Sequence, residues 1–319
     1  MNQPPLTWVI GSGGLLGSSV ERATARRGPV WRPDRAIPWA TAALHSHLDE
    51  DVARFAAAVG DRPWQVAWCA GAAVVASSDD VLVTEIGSLG AFLDALSTQM
   101  PRVSNGVVFL ASSAGGLYAG ATGPPFTEET AVRPISPYGE VKLRLEQSMT
   151  SWAAEHNWPV VIGRIANLYG VGQNLSKPQG LISQVCRAHL LRQPISIYVP
   201  LDTVRDYIYA EDCGALVADV LTRVRREDDS GQGRSVQIKV LASQRGVTIA
   251  AVLGELRRVL KQGIRVVRGA SATAQFQARD LRLRSVVWPE LDRRVLTPLP
   301  AGMSTTVNHM LRQLQAGSL

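Results

Sequence analysis

The chain has 319 residues, 46% hydrophobic and 19% charged, which suits one large α/β core or a domain with a smaller one appended, and excludes a disordered chain. Its formal charge of +6 comes from scattered arginines, with Arg223, Arg225 and Arg226 as a short run, so the basicity is a surface property rather than a nucleic-acid footprint, although an anionic small molecule would gain from it. Cys69, Cys186 and Cys213 lack metal-ligand spacing and cannot all pair, no N-terminal signal pattern is evident, and no uninterrupted apolar run reaches membrane-spanning length; the expected location is the reducing cytoplasm.

Residues 6–10 form an apolar run that reads as a buried strand, and the turn Gly11-Ser-Gly-Gly-Leu-Leu-Gly17 follows it. A helix is expected over 18–27, stopped by Gly28, then a short strand near 29–32. Residues 36–50 give no clear pattern, and a helix is expected over 51–59. Residues 65–71 read as strand then turn, 83–96 as a helix, and 106–111 as a buried strand ending in Ser112-Ser113-Ala114. A long amphipathic helix over 138–155 starts behind Pro137, and 159–163 is another buried strand. Beyond residue 170 the pattern loosens, with helices expected over 247–260 and 303–314. Strands alternating with helices, without period-two alternation, indicate a Rossmann-type doubly wound parallel sheet covered on both faces. The expected division is a parallel-sheet domain over 1–170, which the glycine turn makes the candidate for a dinucleotide, and a smaller C-terminal α/β lobe over 171–319 for the substrate, with some chain returning to the sheet.

Three motifs carry chemistry. Gly11, Gly14 and Gly17, with Gly13 added, lie between a strand and a helix. There a diphosphate can approach the backbone and meet unpaired N–H groups at a helix N-terminus. Tyr138 and Lys142 stand four apart and so share a helical face, where an ammonium beside a phenol favours the phenolate that general base work needs. Ser112 and Ser113 at a strand end could orient a substrate carbonyl, although such serines also cap turns. His45 and His47 find no carboxylate cluster, so no metal site is expected. Cys69 sits in an apolar strand, and Cys186 shares a helical face with His189.

The order of these motifs resembles the short-chain dehydrogenase/reductase superfamily, in its extended branch, the NAD-dependent epimerase/dehydratase family. Arg164-Ile-Ala-Asn-Leu-Tyr-Gly170 and Val204-Arg-Asp-Tyr-Ile208 with Asp212 are similar to further segments of that family. The resemblance implies an NAD(P)-dependent enzyme acting on a nucleotide sugar as epimerase or ketoreductase. Ser113, Tyr138 and Lys142 would be its catalytic residues. Ser113 and Tyr118 lie one residue further apart than in many members, which keeps Ser112 open for the hydroxyl role or for substrate. Gly11, Gly13, Gly14, Leu15, Leu16, Gly17, Ala70, Gly71, Ala72, Tyr138, Lys142 and Ile165 would touch the cofactor. Asn167 would line the substrate site. Arg205 would contact the substrate diphosphate, the alternative being an ion pair with Asp206 or Asp212.

Arg32, Asp34 and Arg35 bear on the choice of cofactor. An acid at the end of the second strand bonds the ribose diol of NAD, whereas an arginine suits the 2′-phosphate of NADP. Arg32 stands where the strand should end, so NADP(H) is favoured over NAD(H). Ala114 and Gly115 occupy the places of the Asp-Glu pair that family dehydratases carry, which counts against 4,6-dehydration. The family's dimers imply a homodimer through helices near 83–98 and 138–155, with Ala91, Leu93 and Leu96 as candidate contacts. No nucleic-acid or membrane partner is expected. The alternatives are an NADPH-dependent reductase of a non-sugar carbonyl, or a non-catalytic dinucleotide-binding sensor.

Overall fold

A computed structural model describes residues 3–39, 41–71, 79–100, 105–176, 179–229, 231, 236–269 and 276–317. Its first half alternates as the apolar runs imply: β1 (Leu6–Ile10), α1 (Leu15–Ala25), β2 (Val30–Trp31), α2 (Leu44–Val59), β3 (Trp64–Trp68), α3 (Asp79–Gln99), β4 (Gly106–Ser113), the single turn α4 (Ala114–Leu117), α5 (Pro137–His156) and β5 (Val160–Ile165). The second half holds β6 (Asn167–Tyr169), α6 (Leu181–Leu190), β7 (Ile195–Ile197), β8 (Val204–Tyr209), α7 (Ala210–Asp229), β9 (Val236–Leu241), β10 (Gly246–Thr248), α8 (Ile249–Leu260), β11 (Val266–Arg268), β12 (Asp280–Leu281) and α9 (Leu299–Gln315).

The main sheet has the order β2-β1-β3-β4-β5-β9, and every pairing in it is parallel. Successive residues of one strand enter opposite layers. Trp8, Ile10, Val66, Trp68, Val108 and Leu110 pack under α2, α3 and α5. Val9, Ala67, Val107, Phe109 and Val161 pack under α7 and the buried side of α1. Both faces are therefore apolar, which is why these strands show no polar alternation. α1 and α7 come close enough that a Cβ on Gly214 would lie 2.5 Å from the Ser19 backbone.

After β5 most of the chain builds a third apolar cluster from α6, α8 and α9, with Cys186, Leu253 and Met303 inside it. A small sheet centred on β8 stands beside it, with β10 and β12 as neighbours and β6 pairing along the far half of β8. α7 and β9 return to the main sheet, so the sheet's last strand comes from residues 236–241.

Several boundaries differ from expectation. α1 begins at Leu15, inside the glycine turn, because Gly14 already serves as its N-cap. α2 begins at Leu44, where the buried stripe Leu44, Leu48, Val52, Phe55 starts among the polar residues His45 to Glu50. β4 continues through Ser112 and Ser113, which pair with Arg164 and Ile165 of β5, so both serines belong to the strand. Residues 81–99 are long and apolar enough to span a bilayer, although Glu85 and Asp94 interrupt the run. Here that helix packs with α2 and α5, with Leu89, Phe92, Leu93 and Leu96 buried in the chain's own core. Leu93 and Leu96 are thus not free for a second subunit, and Ala91 leans on the same core.

Candidate active site

The strand order reverses at β1, which has β2 on one side and β3 on the other, and the crevice at such a reversal is where open α/β sheets take dinucleotides. Gly11 leaves β1 with φ +86°, and a Cβ on it would lie 2.7 Å from the Ala70 nitrogen. A Cβ on Gly17 would lie 2.1 Å from the Gly11 carbonyl oxygen. Glycine is required at both positions for the turn to close against β3. Gly13 has open space around its Cα, and Gly14 caps α1 with no side chain on the helix's first N–H groups. Leu15 and Leu16 form the first turn of α1, half-buried. Ala70 and Gly71 follow β3, and Ile165 ends β5; Ala72 lies outside the described residues. An open cradle of backbone N–H groups at a helix N-terminus fits a diphosphate.

The residues proposed for catalysis meet at the ends of β4 and α5. Ser136 caps α5 by accepting from the Gly139 N–H at 3.1 Å, and Pro137 opens the helix. Ser113 likewise caps α4, its Oγ accepting from the Gly116 N–H at 3.1 Å. A Cβ on Gly116 would sit 3.0 Å from Tyr138 Cε1, and one on Gly139 would sit 2.4 Å from the Gly116 oxygen. These two glycines let α4 rest on the first turn of α5, which brings the Ser113 end of β4 to Tyr138.

One turn on, Lys142 Nζ lies 5.6 Å from the centroid of the Tyr138 ring. The lysine is buried and donates to Glu85 of α3 at 2.5 Å. Burial is the largest influence on the ammonium and pushes it towards neutrality, but Tyr138 and Glu85 outweigh it and hold Lys142 above the usual lysine range.

Behind this group lies a second buried chain of polar groups. Ser112 Oγ donates to Glu146 at 2.6 Å, and Arg164 donates to the same carboxylate at 2.7 Å. Arg164 also donates to the Tyr118 hydroxyl at 2.8 Å, and that hydroxyl donates to the Thr127 carbonyl. The two serines therefore differ: the Ser112 hydroxyl points into the buried network, and that of Ser113 caps α4 beside Tyr138.

Asn167 on β6 donates to the Asp206 carbonyl at 3.0 Å. Arg205, only 6% exposed, donates to the Val204 carbonyl and to Gln277, and among the described residues it forms no ion pair. Asp206 instead accepts from the Ser243 N–H and hydroxyl, and Asp212 from Thr297. Burial lowers the affinity of Arg205 for its proton and pushes the Asp206 carboxyl up to about 6.

At the other end of the crevice Arg32 pairs with Glu21 of α1, Arg35 pairs with Glu50 of α2, and Asp34 faces Arg54 at 3.8 Å. Cys186 lies in the third apolar cluster, its thiol pushed up to about 12 by burial. Burial raises Cys69 further. His47 faces Asp51 within α2, and among the described residues no set of three candidate metal ligands assembles.

The sequence reading missed Glu85 and Glu146. Each interrupts an apolar stripe: Glu85 falls between Leu82 and Leu89, and Glu146 between Leu145 and Met149. An acid on the core side of a helix is the signal that could have found them.

Residues 7–238 match the NAD dependent epimerase/dehydratase family. The chain belongs to that family. The dTDP-4-dehydro-6-deoxyglucose reductase of Escherichia coli is 33% identical over 136 residues, 42% of this chain and 43% of the relative. The chain thus matches less than half the length of that relative. Among solved structures, the UDP-glucuronic acid 4-epimerase of Bacillus cereus, in complex with UDP-glucuronic acid and NAD, superposes with a TM-score of 0.76 at 16% identity, covering 96% of this chain and 99% of that one. The RMD protein of Pseudomonas aeruginosa, complexed with NADPH, gives a TM-score of 0.76 at 16% identity over 97% and 99% of the two chains. The parallel sheet expected from the sequence is present and has six strands.

Proposed function

We propose that this chain is an NAD(P)-dependent epimerase or ketoreductase of a nucleotide sugar. The observation that carries the reading is the buried Lys142 ammonium beside Tyr138, one turn apart on α5, at the end of a sheet whose glycine turn can seat a diphosphate. The dinucleotide supplies the acceptor and donor of hydride. Tyr138 takes the proton from a substrate hydroxyl as its carbon is oxidised and returns it to the carbonyl oxygen in the reverse direction. The Lys142 ammonium stands beside the Tyr138 ring and can donate to a ribose hydroxyl. Ser113, whose oxygen accepts the capping bond and whose O–H stays free, would donate to the same substrate oxygen. Arg205 supplies a buried cation that a substrate diphosphate can neutralise, and Asn167 lines the approach.

Support for the cofactor comes from similar structures solved with NAD or NADPH, and support for the sugar from the UDP- and dTDP-sugar names of two of the similar proteins. For this chain we favour NADP(H), because Arg32 stands exposed at the end of β2 and can exchange Glu21 for a 2′-phosphate. We further propose a cytoplasmic homodimer. Val83, 68% exposed on α3, is an apolar contact that α3 leaves outside the core. Mass spectrometry of what copurifies with the native protein tests the reading, with an NAD(P) dinucleotide and a nucleotide sugar as the expected masses. Protein that binds neither NADH, NADPH nor UDP- or dTDP-sugars in titration would refute it.

A further inference from the structure

We infer that Glu85 is a positioning residue of the acid/base site, its carboxylate holding the Lys142 ammonium in place and charged beside Tyr138. The inference rests on the reading of Tyr138 and Lys142 given above. Glu85 interrupts the apolar stripe of α3 and reaches Lys142 across the helix pair at 2.5 Å, with the two side chains only 6% and 8% exposed. The pair leans on the turn after β3: a Cβ on Gly71 would lie 3.1 Å from Glu85 Oε1 and 3.4 Å from Lys142 Nζ. Glu85 is therefore built into the wall of the crevice.

The groups facing Lys142 can be named by element. α3 contributes Glu85. The turn after β3 contributes the Gly71 backbone, which is uncharged. α5 itself contributes Tyr138 and Glu146. Glu146 is already engaged by Arg164 and Ser112. Glu85 is thus the one carboxylate bonded directly to the ammonium among the described residues. Burial pushes Lys142 towards the neutral amine, and Glu85 is one of the two largest opposing influences. Removing that carboxylate therefore shifts the balance towards the neutral amine and takes away the bond that holds Nζ beside Tyr138.

The chain has four lysines, so lysine side-chain nitrogens can be followed by isotope-labelled NMR, with Lys142→Met identifying the Lys142 signal. In the native protein Lys142 should stay an ammonium beyond 10.5, the ordinary value. Glu85→Gln keeps the shape and removes the charge, and should bring the Lys142 midpoint down by about 1–3 pH units, the range for losing an adjacent opposite charge. The alkaline limb of turnover should move the same way. Glu85→Asp keeps the charge and should leave the midpoint above 10.5. A Lys142 midpoint unchanged in Glu85→Gln would overturn the inference. So would one below 10.5 in Glu85→Asp, a reading that stands even where the Gln variant does not fold. If Tyr138→Phe kept full turnover, the acid/base reading would fail while these titrations still judged Glu85.

Discussion

The two ends of the crevice handle charge in opposite ways. At the Tyr138 end the ion pairs are buried: Lys142–Glu85 and Arg164–Glu146 expose less than a tenth of any of the four side chains. At the Arg32 end Arg32, Arg35 and Asp34 reach into water, at 64%, 54% and 89% exposed, although the Glu21 partner of Arg32 is only 13% exposed. A buried ion has given up its hydration and depends on its partner, so breaking such a pair leaves an uncompensated charge. An exposed ion is screened and can change partners at little cost. The end proposed to react therefore has fixed charges, and the end that would select the cofactor has more exchangeable ones. On this ground substitutions should be tolerated better at the exposed end than at the buried one.

The largest expected effect is at the fixed end. Tyr138→Phe should lower turnover by about two to four orders of magnitude, the range for a positioned general acid/base, with dinucleotide affinity nearly unchanged. Steady-state rates beside a fluorescence titration of NADPH check both halves. Full turnover in this variant would remove the acid/base role and with it the functional side of the comparison.

Next comes the buried network behind it. Arg164→Met leaves the Glu146 carboxylate buried with Ser112 as its remaining donor, and should cost about 3–5 kcal/mol of folding stability. The double variant Arg164→Met, Glu146→Leu removes both charges and should recover much of that loss. Urea unfolding of the three proteins measures it. A single-variant loss under about 1 kcal/mol would mean that this pair behaves like a surface one.

Asp206 extends the contrast to pH. Its folded carboxyl titrates at about 6 against 3.8 for the free side chain, chiefly because it is buried. Below 3.8 both states hold the proton; between 3.8 and 6 the folded state keeps a proton that the unfolded state has lost. Its stabilising contribution is therefore complete at low pH and declines as pH rises through this window, by at most ~3 kcal/mol. Asp206→Asn keeps an oxygen to accept from Ser243 and abolishes the titration. Unfolding free energies of both proteins at acidic and neutral pH should show a steeper fall for the native chain, and parallel curves would refute the assignment.

The same division governs what the sequence makes legible. The glycine turn, the strand-end serines and the Tyr138–Lys142 spacing are local patterns, fixed by chain geometry within a turn or two, and the structure places them at the ends of β1, β4 and α5. Glu85 lies 57 positions from Lys142, and Glu146 lies 18 from Arg164; only packing brings these partners together. The start of α2 was hidden for a similar reason. His47 and Asp51 sit on its buried side among exposed polar residues, so composition masked the stripe. β9 was hard to read because Gln237 and Lys239 break its apolar run. Lys239 is nevertheless fully buried, donating to Ser285, to the Val287 carbonyl and to Asp292.

The smallest effect is expected at the exposed end. Arg32 projects from the end of β2 and meets Glu21 of α1. A 2′-phosphate arriving there would compete with that carboxylate; Arg32 is 64% exposed and Glu21 13%, so leaving Glu21 takes back part of the gain. A charge-assisted hydrogen bond contributes about 1.5–3 kcal/mol, and competition from Glu21 together with screening reduces it, so NADPH should bind about tenfold more tightly than NADH. Arg32→Ala should bring the two affinities together while changing folding stability by less than about 1 kcal/mol. Added salt should narrow the native preference in the same direction. Trp31 adjoins Arg32, so tryptophan quenching can follow both titrations. The opposite account has Asp34, exposed and near Arg54, turning to the ribose diol of NADH. It predicts a preference for NADH that Arg32→Ala leaves intact and Asp34→Asn weakens. That result would assign the exposed arginines to the Glu21 and Glu50 ion pairs alone.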